Sequence, residues 1–185
     1  MRASQPALLT AARVIAETRD SIVAAWRRRL GDRIAASPTV PQSFIHQQMD
    51  LIVDLIGESA GPFRREVTPL WHRAMELYGR MASLRGLAAG EVVEELQPLR
   101  ELLTQRLAPV LLPMRPRQAM ALLLRLDRTF DSGIATAVVG YTDALVATLF
   151  AQGGVPPADA AHDLADLERR TTELALELRA ITHLA

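Results

Sequence analysis

Two histidine–carboxylate pairs are the first residues that could do chemistry. His46 and Asp50 stand four residues apart, as do His72 and Glu76, a spacing that puts both members on one face of a helix. Two such faces turned toward each other could surround a divalent metal, and His72 alone could serve as an axial ligand to a tetrapyrrole. Both histidines flank apolar stripes, so ordinary surface pairing accounts for them too. A denser set follows: Trp71, Tyr78, Gly79, Arg80, Arg85, Glu94, Glu95 and Arg100. Trp71, Tyr78, Gly79, Arg80 and Arg85, with Tyr141 further on, are the candidate ligand-binding residues. Glycine at 79, inside a helical stripe, costs about 1 kcal/mol against alanine. It allows either a close helix–helix approach or room for a ligand against the backbone. Arg80 and Arg85 also lie near the start of the next helix, so that with Glu94, Glu95 and Arg100 they are candidates for a buried Arg–Glu network bridging the third and fourth helices. Asp159, His162, Asp163 and Asp166 share a face at the start of the last helix, where acids complement the helix dipole.

The elements that must position these residues are helical, because no segment alternates with period two. Leu8, Ala12, Ile15, Ile22, Trp26 and Leu30 recur at helical steps from about Gln5 to Leu30, interrupted at Arg19, with Gly31 as a left-handed cap. A second helix is expected over about Pro41 to Ser59. A third starts at Thr68-Pro69, a hydroxyl followed by a proline, and runs to Gly86. A fourth opens near Gly90, and Pro98 inside it should kink or break it. A fifth spans about Pro116 to Ala151; at 1.5 Å per residue it is a spine of roughly 50 Å. The fold class is therefore all-α, a bundle of about five helices with a long spine helix. The bundle occupies residues 1–152 and a hinge residues 153–157. Residues 158–185 form a heptad-patterned helix: Ala160, Leu164, Leu167, Thr171, Leu174, Leu178 and Ile181 are spaced 4, 3, 4, 3, 4, 3. Such a seam suits a dimerising or signalling coiled coil, with Leu164, Leu167, Leu174, Leu178 and Ile181 at its centre. The alternative is a further helix packed back on the bundle.

Composition narrows the function. The 185 residues carry 21 basic and 21 acidic side chains and no cysteine, so there is neither a global field for nucleic acid nor any thiol chemistry. Every basic residue is Arg, and Asn is also absent. Lysine Schiff bases and a Gly-Lys-Ser/Thr phosphate loop are thereby excluded, and a GC-rich bacterial source is expected. The basic patch Trp26-Arg27-Arg28-Arg29 with Arg33, and the smaller Arg64-Arg65 and Arg115/Arg117, read as solvated charge. No G-x-S-x-G, G-x-G-x-x-G, H-E-x-x-H or E-x-x-H pattern occurs, so no enzyme is expected. Uninterrupted apolar runs such as Ala119 to Leu124 are far shorter than the ~20 residues that cross a bilayer. A cytoplasmic protein without a membrane span is the expectation, as a homodimer acting on a downstream signalling domain or partner protein.

Ile22 to Trp26, Tyr78-Gly79-Arg80, Arg85-Gly86, Glu95-Leu96, Leu99-Arg100 and Leu126-Asp127 through Tyr141 together resemble the N-terminal helical domain of RsbT co-antagonist proteins of the RsbRD type. That domain also occurs ahead of bacterial histidine kinases. The resemblance covers about residues 15 to 150, and Pro98 departs from it. It implies a non-enzymatic sensory or regulatory input domain that passes a ligand or partner signal through its C-terminal helix to an output. Two alternatives stand beside it: a stand-alone interaction scaffold, and a metal- or tetrapyrrole-binding bundle using His46 or His72. No cofactor is otherwise expected.

Overall fold

A computed structural model describes residues 5–37, 39–152 and 160–183. Among the described residues the chain is all-helical, with seven helices and no strand. They are α1 (Gln5–Arg29), α2 (Gly31–Ala35), α3 (Gln42–Ala60), α4 (Arg64–Leu84), α5 (Ala89–Leu111), α6 (Pro116–Gln152) and α7 (Ala160–His183). α4 and α6 form the central pair. α1 lies against α3 and α5, and α7 lies against α4 and α3. The core that joins them is built around Trp26, Trp71, Tyr78 and Phe130.

Several helix ends differ from the sequence reading. Gly31 opens α2 instead of capping α1, and Gly86, at φ +76°, is the described residue with positive φ. Gly86 completes a reciprocal cap on α4: its N–H donates to Ser83 O at 3.0 Å, and the Leu87 N–H donates to Ala82 O at 3.1 Å. Such a cap needs the left-handed conformation that glycine adopts at no steric cost. α4 begins at Arg64, ahead of Thr68-Pro69. The break is already made by Gly61-Pro62, and the Thr68 hydroxyl donates to Arg64 O at 2.6 Å within the helix. α5 is continuous through both Pro98 and Pro109. Proline at 98 removes the bond that would return to Glu94 O, and one residue on, Glu95 O accepts the Trp26 indole N–H at 2.7 Å. Packing over this stretch outweighs the lost ladder bond.

The heptad seam lies on its own chain. Leu167, Thr171, Leu174 and Leu178 are buried, and Leu164 and Ile181 pack at the edge of the same core. A seam that repeats at 3.5 residues fits the groove between α3 and α4 as readily as it fits a partner helix. The expected hinge, 153–157, lies outside the described residues.

The expectation of no membrane span is corrected by α6. Over Pro116–Phe150 this helix is long and apolar enough to cross a bilayer, with a mean hydropathy of 1.5 in its most apolar window. Counting uninterrupted apolar runs missed it. Between the apolar residues, α6 uses Gly, Ser and Thr, which interrupt the runs yet leave the average high.

Candidate functional site

The sequence-predicted ligand residues sit in the tightest part of the fold. A Cβ on Gly79 would run into the Ala137 carbonyl, and one on Gly140 would run into the Glu76 carbonyl. The two backbones thus approach within a distance only glycine permits. Trp71 donates its indole N–H to Thr129 O at 3.0 Å and fills the space beside Gly133. Tyr141 closes the crossing from α6, 9% exposed. Gly79 therefore serves close helix approach. Arg80 is half-buried beside it.

Tyr78 and Arg85 meet Glu95 instead. The Schellman cap turns Arg85, the last residue before Gly86, inward to α5. There its two terminal nitrogens donate to the two Glu95 carboxylate oxygens, each at 2.8 Å. Tyr78 donates its hydroxyl to Glu95 Oε2 at 2.6 Å, with all three side chains buried. Burial and the neighbouring Glu95 charge push the Tyr78 phenol well above its ordinary value. Burial opposes the Arg85 charge, yet the Glu95 hydrogen bonds outweigh it and hold the guanidinium above its usual range. Glu94 and Arg100 stand outside this knot. Glu94 accepts from Arg33 at 2.6 Å on the surface, while Arg100 reaches Asp131 at 3.5 Å and lies over the Phe130 ring.

The histidine pairs are not brought together. Asp50 is taken by Arg27 at 2.7 Å, and Arg27 also donates to His46 O at 3.1 Å. Burial, then the Arg27 charge, lowers the His46 pKa despite Asp50. Glu76 faces Arg170 at 3.8 Å. Among the described residues no three His, Asp or Glu side chains gather where a metal could be held. In α7, Asp166 pairs with Arg169 at 2.5 Å, which lowers its pKa; Asp159 lies outside the described residues.

Space for a ligand lies elsewhere, in a cleft of about 440 Å³ between α1, α3 and α7. Its floor is apolar, from Ile15, Leu51 and Val53. Its polar wall is a ladder on α3, Asp50, Asp54 and Glu58, one helical turn apart. Arg19 of α1 clamps the ladder: Nε donates to Asp54 Oδ1 at 2.5 Å, Nη2 donates to Oδ2 at 3.1 Å, and Nη2 lies 3.5 Å from Asp50. The Asp54 hydrogen bond raises the Arg19 pKa further. Glu58 makes no ion pair among the described residues, although Arg179 lines the α7 wall of the same cleft. Burial, then the Asp54 charge, raises its pKa. The third wall is α7, through Thr171, Ala175, Leu178, Arg179 and Thr182. Thr171 also accepts a buried hydrogen bond from Gln48 of α3 and donates its own hydroxyl to Leu167 O at 2.7 Å. Gln48 Oε1 is buried without a partner among the described residues.

Sequence reasoning missed this cleft. The one signal was Arg19, a charge that interrupts the apolar stripe of α1, together with acids at turn spacing on α3. No protein family, curated protein or solved structure matches the chain.

Proposed function

We propose that the chain is a non-enzymatic sensory module in which a small ligand in the α1–α3–α7 cleft changes how α7 sits on the bundle. The observation that carries this reading is that α7 is itself a wall of the cleft. Any compound that binds there contacts the C-terminal helix, and its affinity differs between docked and displaced α7 by whatever those contacts contribute. A half-exposed Arg–carboxylate clamp beside the cavity can exchange partners at low cost, as the sealed Arg85–Glu95 pair cannot. The resemblance to RsbRD-type input domains points the same way, since such a domain hands its signal on through a C-terminal helix.

A thermal-shift screen of a metabolite panel against the full chain and Ala175→Phe tests it. Compounds that raise the melting temperature of the parent should lose their effect when phenylalanine fills the cleft. They should also slow amide exchange within α7. Stabilisers that act equally on both proteins, or that leave α7 exchange unchanged, would overturn the reading.

A further inference from the structure

From Leu122 to Tyr141, buried residues recur along the face that α6 turns to α4, but from Thr142 to Phe150 all residues except Ala144 are exposed. Leu145 is 40% exposed, Val146 42%, Leu149 58% and Phe150 73%. At 100° per residue these four, with the exposed Val139 upstream, fall on one stripe of the helix. The other residues from Thr142 to Phe150 are Ala and Thr, with one exposed charge, Asp143, at the edge of the stripe on its upstream side, where headgroups would meet it. We infer that this stripe and the C-terminal end of α6 enter the acyl region of a lipid bilayer.

Two observations favour lipid as the occupant, and a third permits it. The first is burial: only 17% of the most apolar window of α6 is buried in the fold. A core helix of equal hydropathy would be covered by its own chain. The second is charge. From Ser132 to Gln152 the sequence holds one charged residue, Asp143, while Arg125, Asp127, Arg128 and Asp131 lie just upstream. That distribution matches a medium that excludes charge at one end and meets headgroups at the other. The third is hydrogen bonding. Ser132, Thr136, Thr142 and Thr148 donate their hydroxyls at 2.8–2.9 Å to carbonyls three or four residues back in the same helix. As at Thr10, Thr104 and Thr172 on other helices, their donors are satisfied without water, so these hydroxyls do not oppose entry into hydrocarbon. The opposite face of α6 stays on α4 through Gly79 and Gly140, so the helix enters from the side and does not shed the bundle. With upstream charges of both signs, apolar contact holds the chain and anionic lipid is not required.

Flotation of the full chain with phosphatidylcholine vesicles tests this, beside the double variant L149D/F150D. Both side chains are exposed, so the variant should keep the parental helical circular dichroism and melting temperature. The parent should float, and raising the salt to about 0.5 M should not release it. The variant's vesicle-bound fraction should fall about tenfold or more. A parent that stays in the soluble fraction, or a variant that floats equally well, overturns the inference. So does release by salt, or a parent whose stripe proves by light scattering to be buried between two copies that the variant separates.

Discussion

The molecule handles the same pair of residue types, arginine and carboxylate, in two opposite ways. At the α4–α5 junction Arg85, Glu95 and Tyr78 are sealed from water and bonded at every carboxylate oxygen. At the α1–α3–α7 face, Arg19 shares itself between Asp54 and Asp50 along an open cleft, with about a third of its side chain exposed. A buried pair is costly to break because the survivor is left charged in a poor solvent. An exposed pair is cheap to rearrange because water replaces the lost partner. The first arrangement fixes which helices meet. The second leaves a face that can respond to what enters it.

That contrast is broken most severely at Glu95. Arg85→Met should destabilise the chain by about 3–5 kcal/mol in urea unfolding, because it strands a carboxylate in the core. Arg19→Met should cost about 1 kcal/mol or less. Equal losses from the two variants would erase the distinction. Gly79→Ala is the next largest. Its methyl group meets backbone, which cannot swing aside as a side chain does, and a loss of about 3 kcal/mol is expected. Gly86→Ala should cost less, about 1 kcal/mol, since open space surrounds that position and only the positive φ penalises the substitution.

Tyr78→Phe is smaller again than the Gly79 change but has a pH signature. Removing the hydroxyl leaves Glu95 with its two arginine bonds, so about 1–2 kcal/mol should be lost at neutral pH. The folded phenol titrates above its ordinary value of 10.0, so the folded chain holds a proton that the unfolded chain releases. Its contribution is therefore complete below pH 10 and declines as pH rises above it. Alkaline unfolding of the parent should steepen there, and the phenylalanine variant should lose that part of the slope.

The crossing was legible in the sequence because it is written in local terms. A glycine inside an apolar helical stripe marks either close packing or room for a ligand, and Arg-Gly after a Tyr-Gly-Arg run marks the end of the helix. They pointed to an Arg–Glu network across the two helices, but not to which arginine and which acid would pair inside. Glu94, Glu95 and Arg100 stand close together on one helix, yet only Glu95 is turned inward; the choice depends on helix rotation, which single residues do not encode. The cleft was less legible because its walls come from three separate helices. Asp50 drew notice through His46, four residues away, although its true partners are Arg19 and Arg27 of α1. Thr171, which reads as a defect in the heptad seam, is the residue that receives Gln48. The seam itself is ambiguous by nature, because the same stripe serves any apolar groove, inside the chain or outside it.

Glu58 gives the finest test of the cleft. Its carboxyl titrates above the ordinary value of about 4.5 because burial, then Asp54, opposes its charge. The folded chain thus binds that proton more tightly than the unfolded chain does. Stability falls as pH rises from the ordinary value through the raised folded one, and the penalty is fully present at neutral pH. Glu58→Gln removes the charge but keeps the shape. It should make the chain slightly more stable at pH 7, by less than about 1 kcal/mol since the group is half-exposed, and should flatten the stability profile across that acidic window. Asp54→Asn, at the carboxylate that Arg19 holds by two hydrogen bonds, should act in the opposite direction and weaken the fold. If both variants shift stability with the same sign, the three acids act as one solvated row, and the distinction between a clamped and an unclamped rung of the ladder is lost.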